Sequence, residues 1–447
     1  MSLHISAYHI NIFYSTSNQG QQRMRSFRII VVGAGPAGLM AAGQAALLGA
    51  DVLLLEKMNR PGLKLGITGK GRCNLTNTGS LSDTIAHFGS NGSFLRQAFS
   101  RFFNSDLIAF FEDLGVPIVT ERGGRVFPES GKAQDIVTAL VKWNKSCGVT
   151  LRTRSKVERL LTEEGRVAGV RVKEFSRDKT FDDKGYGARA IIITTGGASY
   201  PATGSTGDGY LLAQSVGHRL VPVRPALVPL ETEGDTAKGL IGLDLKNVRV
   251  RLLIDGKRCA ETFGEMLFTG FGVSGPVILS LSRTAVDALV SGQTVELSID
   301  LKPALDEARL DARLIRDLDT YGRQHFRSIL KRLLPAMLTS VCIASTGIPA
   351  DKLAHQITSE DRKRLRGWLK DFRLRVTGYR PFTEAIVTAG GIDLKEIDPR
   401  TMESRLIEGL YFAGEVLDLD ADTGGYNLQA GFSTGWVAGR AGAQSTT

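Results

Sequence analysis

The 447-residue sequence holds only four cysteines, Cys73, Cys147, Cys259 and Cys342, too far apart to form a C-x-x-C pair. That scarcity excludes a disulfide scaffold and points to a reducing, cytoplasmic setting. Histidines and cysteines nowhere fall at metal-ligand spacing, so no metal site is expected. No run of about 18 apolar residues occurs, so no membrane span is expected. RNP, KH and zinc-knuckle patterns are missing, which disfavours the common RNA-binding modules.

Hydrophobic residues make up 42% of the chain, enough for two or three cores. Net charge is +10. Between Asp306 and Arg375 there are 15 Lys+Arg against 9 Asp+Glu. A solvated helical surface is the plain reading of that surplus. An anionic substrate, a phosphorylated nicotinamide donor or nucleic acid are the alternatives.

The organising stretch runs from Arg28 to Glu56. Ile29, Ile30, Val31 and Val32 suit a buried strand. Gly33, Ala34, Gly35, Pro36, Ala37 and Gly38 follow as G-x-G-x-x-G. The first glycine permits a tight turn, the second lets backbone approach a pyrophosphate, and the third lets the helix pack on the strand. The helix N-terminus favours an anion there. Val52 to Leu55 form a second buried strand, and Glu56, beside Lys57, stands at its carboxyl end as acceptor for a ribose hydroxyl. That carboxylate lies 18 residues past Gly38, and the whole strand–glycine–helix–strand–carboxylate order is far more specific than the glycines alone.

Residues 62–79 show no hydrophobic period and predict a long functional loop. Within it, Lys64 and Arg72 suit phosphates and Asn74 and Thr76 a flavin edge, while Thr68, Gly69 and Cys73 stand beside them as further cofactor-binding candidates. A strand at 190–194 ends in Thr195, Gly196 and Gly197, which places bare backbone beside a ligand. Around 221 the pattern changes to alternating antiparallel strands, such as Val248, Val250 and Leu252 or Val295, Leu297 and Ile299. From 306 to 375 it becomes helical. Near Gly378 the α/β character returns, with strands ending at Gly390 and Gly414 and a glycine-opened final helix. A second G-x-G-x-x-G, Gly270 to Gly275, has Glu296 at 21 residues' distance. Glu296 falls inside an alternating strand and Pro276 suits a helix start, so this is read as a turn and helix start facing a substrate cavity rather than a nicotinamide site.

Several blocks together resemble the bacterial BaiN-like NAD(P)/FAD-dependent oxidoreductases, including their aminoacetone oxidase-like branch. They are 69–77 (G-K-G-R-C-N-L-T-N), 124–128, 195–209, 267–276 and 401–439, and the likeness spans 28–442. The resemblance implies an α/β fold: an FAD-binding, Rossmann-like flavoprotein of the two-dinucleotide-binding-domain type, with an inserted antiparallel β domain and a helical domain. The expected division begins with a disordered or appended arm (1–25) and an amino-terminal FAD-binding segment (26–222). The β domain (223–305), the helical domain (306–376) and a carboxy-terminal FAD-binding segment (377–447) follow.

FAD is then expected without a covalent bond. Its ADP half would rest on 33–38, with adenine near the Val157 backbone. Glu415, after Gly414, would bond a ribitol or ribose hydroxyl. The N–H groups of Gly425, Tyr426, Asn427 and Leu428 would face the flavin N1 and O2 edge. Two departures are visible: Lys70 interrupts glycines, and Gly270 stands where relatives often carry His, which implies a difference in substrate or rate.

The expected activity is hydride transfer between flavin and a small organic substrate, with NAD(P)H as a transient donor or oxygen as acceptor. A flavin-dependent nucleic-acid modifier or binder is the alternative, and a flavin sensor a third class. Tyr200, Cys73 and Tyr426 stand in loops suited to acid–base or redox work, but packing explains each more simply, so no catalytic residue is assigned.

Overall fold

The computed structural model describes residues 24–175 and 181–446, and the arm expected at 1–25 lies outside the described residues up to residue 23. Strand β1 (Arg25–Val32) buries every residue from Ile29 to Val32. Such a continuous apolar run needs cover on both faces, and parallel neighbours with helices above and below supply it. β1 lies between β2 (Val52–Leu55) and the long strand Phe181–Ile193, parallel to both, with Ile30 level with Leu53 and Ile191. Strand Thr150–Arg152 extends the sheet beyond β2, and Leu410–Phe412 pairs in parallel with the end of Phe181–Ile193. An antiparallel meander, Ser155–Glu163 and Arg166–Phe175, completes seven strands.

Helix α1 (Pro36–Leu47) begins with proline, which suits the first turn of a helix because its missing N–H would be unpaired there anyway. α1 packs against the C-terminal helix (Tyr426–Ser445) at backbone distance. A Cβ on Gly435 would lie 2.3 Å from the Ala37 carbonyl oxygen, and one on Gly439 2.2 Å from that of Ala41. Any side chain there would push the helices apart. The contact sets the amino end of the C-terminal helix beside the glycine turn.

The long loop expected at 62–79 is only partly irregular. Leu63–Gly71 forms a short helix, α2, interrupted where Gly69 and Lys70 take left-handed conformations at φ 57° and 58°. Burial of Leu65, and of Gly62 against the Val137 side chain, holds this turn although its composition disfavours a helix.

A closed antiparallel barrel joins Leu230–Thr232, Gly272–Ser274, Lys257–Phe268, Asp244–Ile254, Val295–Asp300 and Phe372–Tyr379. Two strands, Leu220–Ala226 and Val387–Ile392, pair antiparallel and lead into and out of it. Helices Glu307–Thr320, Phe326–Leu333, Leu338–Thr346 and Ser359–Lys370 are inserted between the last two barrel strands. They share the barrel's own core, where Leu310, Leu330 and Leu365 belong with Val250 and Leu297. The core of the seven-stranded sheet is separate. Phe372–Tyr379 crosses residues 376 and 377, because the chain must return from the helices to close the barrel.

Gly270 to Gly275 falls in this barrel. Gly272–Ser274 is a barrel strand and Pro276 opens helix Pro276–Val290. Glu296 lies within a strand, opposite Arg375 and 3.5 Å from Arg373 Nη1. Among the described residues no helix is long and apolar enough to cross a membrane, and no cluster of His, Cys, Asp or Glu could hold a metal ion.

Candidate functional site

One elongated cavity runs from the β1 turn, along the carboxyl ends of the parallel strands, to the amino end of the C-terminal helix. The turn is held by Gly33 N–H donating to Leu55 O at 2.8 Å and by Thr194 Oγ1 donating to Val32 O at 2.9 Å. Gly33 adopts φ 102°, and a Cβ there would lie 2.7 Å from the Thr194 carbonyl oxygen. Gly38 does not line the cavity; its Cβ would meet the Gly33 carbonyl oxygen at 1.8 Å, so it serves helix–strand packing. Gly35 differs: a Cβ there would project into open space. Gly33, Ala34, Gly35, Pro36 and Ala37 all line the cavity.

At one end, Glu56 accepts from Ala34 N–H at 2.9 Å and Met58 N–H at 2.8 Å, one to each oxygen. Burial raises its pKa against the pull of those two N–H groups. The carboxyl is thereby fixed in orientation, with lone pairs left for hydroxyls. Lys57, also on the wall, is engaged by Asp208 at 2.6 Å and by Thr206. Val157 lines the same end, joined by Arg60 and Lys156, for which the described residues offer no acidic partner.

Further along, Lys64 Nζ reaches Ser199 Oγ at 2.7 Å and Glu415 Oε2 at 2.6 Å. The other Glu415 oxygen accepts from Thr388 N–H at 2.9 Å and Ser199 Oγ at 3.0 Å. Glu415 and Gly414 line the cavity, and the Glu415 carboxylate ties α2, the 197–200 loop and the strand Val387–Ile392 into one hub. Thr68, Gly69, Asn74, Thr195 and Gly196 line the adjoining wall. Asn74 Oδ1 and Thr195 Oγ1 are buried without a hydrogen-bond partner.

The far end is closed by Gly425, Asn427 and Leu428 at the start of the C-terminal helix. Gly425 has φ 100°, and a Cβ on it would lie 2.5 Å from the Thr76 backbone. The Asn427 side chain braces the preceding loop, accepting from Ala421 N–H at 2.9 Å and donating to Ala421 O at 2.8 Å.

Four further residues expected at the cofactor lie off the cavity. Arg72 pairs with Glu121 and stacks over the Phe127 ring at 4.3 Å, so its guanidinium is not offered to a phosphate. Cys73 is fully buried, and burial pushes its thiol up to about 12, which keeps it from acting as a thiolate. Gly197 packs on Thr388, where a Cβ would meet Oγ1 at 2.4 Å. Tyr426 turns away to stack on His87. Gly270 and its neighbours do not face the cavity either.

Sequence reasoning missed Arg60, Lys156, Asp208, Leu227, Ile386 and Asp422, which do line it. Asp208 and Asp422 stand in the 195–209 and 401–439 blocks, close to glycines that were read as ligand-facing. The apolar Leu227 and Ile386 left no comparable signal.

These residues fit FAD. Glu56 and Val157 would hold the adenosine, the open Gly35 backbone and the α1 amino end the diphosphate, and the orphaned Asn74 and Thr195 oxygens with the C-terminal helix start the flavin.

Comparisons with known proteins identify the family and the fold. The chain is 31% identical to a 3-dehydro-bile acid delta(4,6)-reductase of Clostridium scindens over 93% of its own length and 99% of the relative's. It is 32% identical to a ribosomal RNA dihydrouridine synthase of Escherichia coli over 93% and 97%. Among solved structures, a 3-ketosteroid delta1-dehydrogenase from Sterolibacterium denitrificans superposes with TM-score 0.53 at 14% identity, covering 94% of this chain and 100% of that one. A 3-ketosteroid-delta4-(5alpha)-dehydrogenase from Rhodococcus jostii RHA1 gives 0.51 at 17%, covering 96% and 99%. Both share the FAD-binding flavoprotein fold. The model of the HI0933-like protein Rossmann domain matches residues 27–441, and the chain is thus a member of the HI0933-like family, the BaiN-like flavoproteins that its motifs resemble.

Proposed function

We propose that this protein is an FAD-dependent reductase that saturates a carbon–carbon double bond conjugated to a carbonyl group, with NADH or NADPH as the electron donor. The observation that carries this reading is the cavity's mixed wall. Its cofactor side is the glycine turn and the C-terminal helix, and its other side, Leu227, Ile386 and Val387, comes from the segments that join the sheet to the barrel. An apolar unsaturated group can thus lie against the reactive end of the cofactor. Bound FAD would supply hydride, while the chain binds, orients and excludes water.

The curated relatives support the reaction class. Their names describe loss of double bonds from a 3-oxo bile acid and saturation of uridine. Both are reductions of an alkene activated by a carbonyl, although one substrate is small and the other is RNA. A small conjugated ketone is the leading substrate. One observation favours RNA as a second reading. Arg316, Arg323, Arg327, Lys331 and Lys363 are exposed on the helical insertion and have no acidic partner among the described residues. An unpaired basic surface of this kind attracts phosphates.

The test is anaerobic stopped-flow. The purified protein should be yellow, bleach with NADH or NADPH, and regain its colour with a 3-oxo-4,6-diene steroid acid or with uridine-containing RNA. Product mass should rise by two hydrogens. A protein that takes up no FAD, or whose reduced flavin neither compound reoxidises, would overturn the reading.

A further inference from the structure

Resting on that reading, we propose that His87 and Asp422 form the couple that delivers the proton completing the reduction. Hydride adds to one carbon of the double bond, and the other carbon must receive a proton. The cavity offers few groups able to give one. Lys57 is held by Asp208, and Lys64 by Ser199 and Glu415. Glu415 has both oxygens occupied. Arg60 keeps its proton too tightly to act as an acid, and Glu56, held by two backbone N–H groups, and Lys156 lie with Val157 at the end assigned to adenosine. Asp422 remains. It lines the cavity at the end closed by the C-terminal helix, and its one side-chain partner among the described residues is His87, whose Nδ1 lies 3.0 Å from Oδ2.

The fold holds this pair in place. His87 caps helix α3 (Leu81–Ala86), and the next residue, Phe88, is fully buried. The His87 ring stacks on Tyr426, with centroids 4.0 Å apart and planes 17° from parallel. Tyr426 is pinned in turn, since a Cβ on Gly424 would lie 2.6 Å from its ring. The stack fixes the imidazole plane and so directs Nδ1 at Asp422. On the other side, Asn427 Nδ2 donates to the Asp422 carbonyl at 3.4 Å. The His87 side chain is 36% exposed and that of Asp422, on the cavity wall, 46%, so the pair can exchange protons with water. The surrounding charges are Asp83 on α3, Asp418, held by Asn91, and the Arg283–Asp420 pair at 3.3 Å.

The step balances. Bound reduced FAD would supply hydride to the β-carbon, with the substrate's π pair moving toward the carbonyl. The Nδ1–H bond of the His87 imidazolium breaks as its proton passes to the Asp422 carboxylate, and Asp422 hands that proton to the α-carbon, returning to the carboxylate. His87 recovers a proton from water. The substrate gains two electrons and two protons, and the flavin is oxidised by two electrons, which NADH or NADPH restores.

The experiment separates the half-reactions of the FAD-loaded protein. In His87→Gln, FAD content, midpoint potential and bleaching by NAD(P)H should match the wild type. Reoxidation by whichever probe the wild type reduces should fall about 100-fold, the order expected for loss of a general acid. The dependence of that rate on pH between about 5 and 8, where histidine titrates, should flatten. Asp422→Asn should show the same loss, and the double variant no further loss. In His87→Ala, added imidazole should restore part of the rate, which a purely structural role would not allow. Equal reoxidation in wild type and His87→Gln across that pH range would overturn the couple, as would a midpoint shift large enough to account for the slowing. A wild type whose reduced flavin neither probe reoxidises would overturn the proposed reaction and the couple together.

Discussion

The chain contains G-x-G-x-x-G twice, and the two copies became different objects. Gly33 to Gly38 joins a buried parallel strand to a helix, and the Glu56 carboxylate returns from the next strand to accept the Ala34 N–H. Gly270 to Gly275 joins antiparallel barrel strands, and Glu296 is a strand residue beside Arg373. In the first copy, Gly35 faces open cavity. In the second, Gly272 faces backbone, and a Cβ would lie 2.2 Å from the Leu230 carbonyl oxygen. One glycine keeps room for a ligand, the other for the protein's own main chain. The motif acquires meaning from the strands on either side of it.

The largest expected effect comes from exchanging those roles. Gly35→Val should leave the fold intact, because its φ of −82° suits any residue, yet weaken FAD binding by about 100-fold, or about 3 kcal/mol. Gly272→Val should do the reverse, lowering the melting temperature while the remaining folded protein binds one FAD per chain. Equilibrium dialysis and thermal melts of both variants decide it; equal FAD loss in the two would break the contrast.

A smaller effect is expected at the carboxylates. Glu56→Gln should weaken FAD binding by roughly 10-fold, the order of one hydrogen bond to a charged group. Glu296→Gln, which removes one partner of a half-buried surface ion pair, should change stability by less than about 0.5 kcal/mol and leave FAD binding alone. Flavin fluorescence titration compares them.

A pH-dependent effect lies at the seam between the two regions. Asp420 is buried, and burial raises its pKa from 3.8 to about 6 although Arg283 opposes the rise. A carboxyl that holds its proton more tightly when folded favours the folded state at low pH. Its stabilising effect is full below the unfolded value near pH 4 and is lost as pH rises through about 6, at most about 3 kcal/mol for the whole shift. Asp420→Asn should flatten urea-unfolding stability over that interval; an unchanged pH slope would remove Asp420 as its source.

Much of this was legible in the residues. Ile29 to Val32, the three glycines and Glu56 carry a local pattern whose physics is complete within about 30 positions, so the turn, helix and acceptor could be placed from sequence. The barrel's alternation at Val248 to Leu252 was equally local. Where partners come from far away, the sequence was mute. Arg72 looked like a phosphate ligand because Glu121 and Phe127, which claim it, are distant in the chain. The helical segment looked like a separate body, yet its leucines complete the barrel core. His87 offered no signal, since both its partners, Asp422 and Tyr426, come from the opposite end of the sequence.

The glycine contacts between α1 and the C-terminal helix bear on biosynthesis. The turn that cradles the diphosphate leaves the ribosome early, but the helix that closes the other end of the cavity is translated hundreds of residues later. Until then the nascent polypeptide presents only half a receptacle. Flavin capture is therefore a late event in the life of each molecule, and the same docking that seats the cofactor reports that translation has passed the helix Tyr426–Ser445.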